Sequence, residues 1–357
     1  PIVLSELSKL FGSFSYLSTF KMFVWGTVIY FIASFLLLRM WLGSIVLAII
    51  GVLMGIKVYM FHTGVFPFLF TLPSTTIFRY CFDIVLFFLL FYHLRTHRRY
   101  LLVVASCVCG YAIFYMTSTG MCLALGFYAY LFAHLVTPHI RQYVFRGKKD
   151  IMYLLSLAAL VPAVTVACLW IAEGNGLWSR EFSHNMKEFN LYFLNGFGTM
   201  PMYESLRDHH YLANLMGLWI PLVYVFTLTV IASLIYRRKI AHSHLLVVII
   251  AMYGLVMYHY YIARSAVTSY YVVALPYVLV CCYWLRMIGE RLLPRARFNV
   301  YAGLAVFALY ALLTNHNYVG YPNALNISRN PVVDPRIVHP LPKAGGSYFA
   351  HLYRKAD

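Results

Sequence analysis

Residues 95–149 read RTHRRYLLVVASCVCGYAIFYMTSTGMCLALGFYAYLFAHLVTPHIRQYVFRGKK. Two apolar runs, 100–116 and 119–136, meet at an uncharged turn, Met116 to Gly120. Basic clusters close the outer ends: Arg95, Arg98 and Arg99 before, and Arg141, Arg146, Lys148 and Lys149 after. Each run is close to the ~20 residues that an α-helix needs to cross a hydrocarbon core. The pattern predicts a helical hairpin that enters and leaves a membrane, with both basic ends on one side.

The same pattern extends in both directions. Runs long enough to cross fall at 22–38, 41–59, 78–93, 100–116, 119–136, 151–172, 212–236, 244–262, 267–285 and 299–315. The expected fold is all-α, a polytopic transmembrane bundle of about ten helices over residues 1–315. A tail, 316–357, follows. Every second link is basic: Arg39; the two clusters above; Arg237, Arg238 and Lys239; and Arg286, Arg291, Arg295 and Arg297. The positive-inside rule puts those links in the cytoplasm. Both ends, the long 173–211 loop and the 316–357 tail are then expected on the outer, extracytoplasmic side.

Composition agrees. Of the 357 residues 62% are hydrophobic and 11% charged, with mean hydropathy +0.73, against about 25% charged in a soluble domain. The net charge of +17 suggests nucleic acid in a soluble chain. Here it follows from the loop cations that orient helices, and Tyr258, Tyr260, Tyr261, Tyr270 and Tyr271 read as interfacial or packing aromatics. Nucleic acid is not an expected partner; membrane lipid is. The seven cysteines all fall within apolar runs and read as small buried hydrophobes.

The chain opens on Pro1, without a signal-peptide pattern. An outer N-terminus then leads us to expect at least one further span upstream. Leu4 to Phe20 reads either as an interfacial helix or as the lead-in to the first span.

Polar residues cluster in three places. Five of the eleven acids, Glu173, Glu181, Glu188, Glu204 and Asp208, share the 173–211 loop with His184, His209, His210, Arg180, Lys187 and Arg207. That loop reads as an active-site wall or as a solvated cap. Asp83 is the one acid within the expected spans, and Arg79 lies four residues earlier. The spacing suggests either a structural Arg79–Asp83 pair or an Arg79 that meets an anionic headgroup with Asp83 behind it. The third cluster is His259-Tyr-Tyr-Ile-Ala-Arg264-Ser265-Ala-Val-Thr268-Ser269-Tyr270-Tyr271, where Arg264 has no acid within ten residues. A guanidinium among hydroxyls suits a phosphate, and equally an interfacial anchor.

Other motifs carry less. Adjacent His209 and His210 diverge on a helix and do not readily share a metal. His93 and His97 have the i, i+4 spacing but lie among arginines. Walker, dinucleotide, HExxH and GxSxG patterns are missing from the sequence. Asn326-Ile-Ser328 fits a glycosylation acceptor.

Three features together resemble the C-type (GT-C) membrane glycosyltransferases. They are Tyr261-Ile-Ala-Arg264-Ser265 between late spans, Leu72-Pro73-Ser74-Thr75-Thr76-Ile77-Phe78-Arg79 opening an earlier span, and the extended outer loop before a late span. The resemblance implies a GT-C-like bundle that moves a sugar from a polyprenyl-phosphate carrier to an acceptor at the outer face. Arg264 and Arg79, with Tyr261 and Ser265, would bind the lipid phosphate, supported by Asp83, His209 and His210. The donor is a lipid-linked sugar, and the resemblance leaves room for a divalent metal without pointing to a metal ligand.

The family draws its catalytic carboxylate from the first outer loop. Here the only acid before Asp83 is Glu6. Either that span and loop precede Pro1, or Glu204 and Asp208 supply the carboxylate. Two other classes compete: a non-catalytic membrane scaffold that docks a partner chain through its outer loop and tail, and a transporter or flippase, which needs more intramembrane polar groups than Asp83.

Overall fold

Leu245 to Ala251 is a run without a polar side chain, and every residue in it is buried. A helix that is apolar on all sides belongs in the core of a bundle, and the rest of the fold is arranged around this one. The computed structural model describes residues 16–61, 77–137, 148–185, 187, 211–237, 244–264, 270–292 and 294–313. Among them there is no strand. The α-helices are α1 (Tyr16–Leu42), α2 (Ile45–Phe61), α3 (Phe82–Thr96), α4 (Tyr100–Tyr115), α5 (Thr117–Val136), α6 (Lys148–Glu173), α7 (Tyr211–Tyr236), α8 (Leu245–Arg264), α9 (Tyr270–Gly289) and α10 (Pro294–Leu313). Short 3-10 turns at Ile77–Arg79 and Gly174–Trp178 precede α3 and follow α6.

The all-apolar segment starts α8. This helix packs on α5 and α3 from the first half of the chain and on α7 and α9 from the second. Consecutive helices pair as α1 with α2, α3 with α4, and α4 with α5, while α6 lies on α4 and α2 on both α9 and α10. Among the largest fully buried side chains are Phe87, Phe127, Tyr130, Tyr224 and Tyr253, which come from α3, α5, α7 and α8.

Among the described residues four helical segments are long and apolar enough to cross a membrane: Thr19–Leu42, Thr117–Val136, Asp150–Trp178 and Trp219–Tyr236. Ile45–Val58, Tyr100–Tyr115, Leu245–His259 and Leu275–Gly289 are shorter apolar helices. Burial sorts the four long segments. Thr117–Val136 is 61% buried, but Asp150–Trp178 is only 17% buried. The outward faces of the peripheral helices are apolar, with Trp170, Ile171 and Trp178 exposed on one and Trp219, Leu222 and Phe226 on another. Water is a poor solvent for such faces and lipid a good one.

The hairpin that opened the sequence analysis turns on Gly120. A Cβ there would strike the Ala112 carbonyl group and the Ile113 nitrogen, so α4 and α5 meet backbone to backbone, as small residues permit in membrane bundles. Gly43, between α1 and α2, has φ +68. In that left-handed conformation its N–H caps the Arg39 carbonyl at 2.9 Å.

Pro162 interrupts the backbone ladder of α6. Proline has no N–H, so the carbonyl four residues earlier, on Ala158, loses its helical donor. Tyr128 of α5 supplies one, its hydroxyl donating to the Ala158 oxygen at 3.1 Å. The start of α6 is pinned to α4 by an Arg99–Asp150 ion pair of 3.1 Å and by the Tyr153 hydroxyl donating to the Arg99 carbonyl at 2.9 Å.

Candidate functional site at one end of the bundle

Contacts between helices fix which ends lie together. Near the N-terminal end of α1, Phe23 packs on Phe78 with ring centroids 5.7 Å apart, and Tyr30 reaches Asp83. At its C-terminal end Trp41 stacks on Tyr283 of α9 at 5.8 Å. Tyr283 in turn shares a 2.6 Å hydrogen bond with Nδ1 of His244, immediately before α8. So α8 begins at the C-terminal end of α1 and climbs towards the end that holds Ile77–Arg79.

At that end the 3-10 turn is wedged in place by Ile77, which is buried, and by Phe78, whose ring fills the space over Gly26 of α1. Arg79 is half-buried. Its carbonyl accepts the Thr119 hydroxyl at 3.1 Å, and its Nη2 donates to Ser118 Oγ over a long 3.4 Å. The guanidinium carbon lies 5.9 Å from the centre of the Tyr80 ring. Ser118 and Thr119 belong to the first turn of α5, which has no side-chain N-cap bond. The positive end of that helix and the Arg79 cation thus adjoin, an arrangement that attracts anions.

Asp83 stands apart from Arg79. Its carboxyl group is buried and takes the Tyr30 hydroxyl at 3.0 and 3.1 Å, together with the backbone N–H of Ile84. The Arg79–Asp83 pairing suggested by the sequence spacing is therefore replaced by a Tyr30–Asp83 bond. The reason is local: an i, i+4 contact needs continuous α-helix, but a 3-10 turn ends at Arg79 and α3 starts only at Phe82. In the first turn of α3 a carboxyl group also suits the helix dipole.

Arg264 is the last residue of α8. Phe87 of α3 meets Tyr253 of α8, ring centroids 6.1 Å apart. From that contact α8 continues eleven residues to Arg264 and the other chain runs eight residues back to Arg79. These are rises of about 16 and 12 Å at helical pitch. The backbones of Arg264 and Arg79 therefore end at the same end of the bundle. Tyr261 falls within the last turns of α8. Ser265, Glu204, Asp208, His209 and His210 lie outside the described residues, as do most of the 173–211 loop and the 316–357 tail.

At the opposite end His93, His134 and Tyr130 are all fully buried. Nδ1 of His93 sits 2.9 Å from the Tyr130 hydroxyl, and the two imidazole rings are 5.4 Å apart. His97 does not share their helix face, because α3 ends at Thr96 and His97 takes a left-handed φ of 54. Among the described residues no three His, Cys, Asp or Glu side chains gather to hold a metal ion.

Sequence reasoning singled out Arg79 and Asp83 but missed Tyr30, Ser118 and Thr119. Tyr30 is one aromatic among many in an apolar run, and only the fold places it beside Asp83. Ser118 and Thr119 had a weak signal, being two of the three hydroxyls, with Thr117, in the first turn of a helix.

The described residues thus define an all-helical protein, four of whose segments have the length and apolarity to cross a membrane. Compared with known protein families, curated proteins and solved structures, the chain matches none.

Proposed function

We propose that the chain is a ten-span integral membrane protein that moves a sugar from a polyprenyl-phosphate donor to an acceptor at the outer membrane face. Supporting this reading is the convergence of Arg79, the positive end of α5 and the Arg264 terminus of α8 at one end of the bundle. That end carries the uncharged Met116 to Gly120 turn, and among the described residues Arg39, Arg95, Arg99 and Arg286 fall at the other, so the positive-inside rule makes it the outer end. The leaving group in such a transfer is a lipid phosphate whose charge grows as the sugar departs, and fixed cations stabilise that charge most where water is scarce. Arg79 and Arg264 fill that role. The proton of the acceptor hydroxyl goes to a carboxylate, for which Glu204 and Asp208 of the 173–211 segment are the candidates. Tyr261 and Ser265 add hydroxyls beside Arg264.

The test is release of free polyprenyl phosphate in proteoliposomes supplied with a panel of polyprenyl-phosphate hexoses and pentoses. Arg264→Ala and Arg79→Ala should each lower release about a hundredfold, the scale for losing one preorganised donor to a developing anion. Folded variants with undiminished release would instead favour a scaffold, which should lose a co-purifying partner when 173–211 is shortened.

A further inference from the structure

A second positively charged site lies at the other end of the bundle, where α1 hands over to α2. From Tyr30 at the Asp83 contact, α1 runs twelve residues further to Leu42, about 18 Å along the axis. There a cavity of about 620 Å³ opens between the α1–α2 turn, the end of α9 and the start of α10. Gly43 and Ser44 form one wall, Arg286 and Glu290 another, and Arg297 and Phe298 the third.

The two arginines are in different states. Arg286 is committed to the fold: its Nε pairs with Glu290 at 2.8 Å, and its Nη1 donates to the Trp41 carbonyl at 2.7 Å, satisfying an acceptor that the end of α1 leaves open. Glu290 balances its charge. Arg297 is only partly exposed, lines the same cavity, and makes no hydrogen bond or ion pair among the described residues. A guanidinium that lines a recess and is bonded to no protein acceptor is a ready donor pair for a phosphate group. Ser44 caps α2 through the Leu47 N–H at 3.3 Å. The N–H groups of Ile45 and Val46, at the positive end of α2, lack intrahelical acceptors and border the same space.

The rim separates a lipid from a free anion. Ile45 is 49% and Phe298 67% exposed, so apolar side chains flank the charged recess where acyl chains would run. The surrounding link holds Arg286, Arg291, Arg295 and Arg297 against the single acid Glu290, a balance that draws anionic headgroups at a cytoplasmic surface.

We propose that this cavity binds the phosphate of an anionic phospholipid in the cytoplasmic leaflet, with Arg297 as its principal contact. The proposal rests on the membrane-spanning reading but not on sugar transfer, and its readout is separate from that activity.

The experiment is native mass spectrometry of the purified full chain in detergent micelles, titrated with dioleoylphosphatidylglycerol or with dioleoylphosphatidylcholine. Wild type should retain phosphatidylglycerol in preference to phosphatidylcholine. Arg297→Ala should weaken phosphatidylglycerol binding about tenfold, the scale of one lost charge-assisted contact, and Arg297→Lys, which keeps the charge without the fork, by less. Since Arg297 has no internal bond, both variants should unfold thermally at the wild-type temperature. Arg98→Ala, which removes an exposed cation from a different basic link, should bind as wild type does. Equal retention by Arg297→Ala, equal retention of the two lipids, or displacement of the lipid by millimolar inorganic phosphate would each overturn the proposal, the last by making the cavity a free-anion site.

Discussion

The Tyr30 hydroxyl lies 3.0 and 3.1 Å from the two carboxyl oxygens of Asp83, joining α1 to α3 across 53 residues of chain. Both residues are buried, so neither can turn to water if the other is removed. Tyr30→Phe should lower stability by about 2 kcal/mol, the cost of leaving a buried polar partner without its donor. Tyr30→Phe combined with Asp83→Leu should recover most of that loss, because an apolar pair needs no donor. Thermal unfolding midpoints in detergent would check this. A double variant less stable than Tyr30→Phe alone would refute the pairing.

Tyr128 and Pro162 form a second testable pair. The Tyr128 hydroxyl satisfies the Ala158 carbonyl that Pro162 deprives of a helical donor. Tyr128→Phe should therefore cost about 1 kcal/mol. In a Pro162→Ala background, where the helix supplies its own N–H, the same change should cost less. The comparison is a double-mutant cycle on unfolding midpoints. Equal costs in both backgrounds would show that the two residues are independent.

Orientation can be read by labelling. Asn175, in the 3-10 turn after α6, and Arg98, between α3 and α4, are both exposed. With the seven native cysteines replaced, Asn175→Cys should react with a membrane-impermeant maleimide added to intact cells. Arg98→Cys should react only after the membrane is opened. The reverse pattern would invert the topology and move the Arg79 end to the cytoplasm.

What was legible in the sequence follows from the length scale of each signal. The apolar run 119–136 corresponds to α5, Thr117–Val136, and the uncharged turn before it to a hairpin closed at Gly120. Hydropathy is a local property, and helix positions follow from it. Ends were less legible. The run 22–38 belongs to a helix that extends from Tyr16 to Leu42, because Tyr, Ser, Thr and Trp at its margins continue a helix while diluting its hydropathy. Nothing local distinguishes a central from a peripheral helix, since every segment in question is apolar. Only packing sorted the buried start of α8 from the exposed α6.

The candidate site was legible as residue types and not as partners. A charge four residues from another suggests a pair only if the intervening backbone is α-helical, and the 3-10 turn at Ile77–Arg79 removed that condition. Tyr30 and Asp83 are brought together by the packing of α1 on α3, which no spacing encodes. Arg297 was read as one member of an orienting basic link, and its cavity exists only because α2, α9 and α10 converge on it.

Polyprenyl phosphate binding by the purified full chain tests most directly the proposal that Arg79 and Arg264 form a lipid-phosphate site. It should be measured for wild type, for Arg79→Ala, for Arg264→Ala and for the pair combined. Each single change should weaken binding about tenfold or more, and the double change should fall short of the product of the two, because both cations hold one phosphate. Wild-type affinity in the double variant, with the protein still folded, would contradict the proposal.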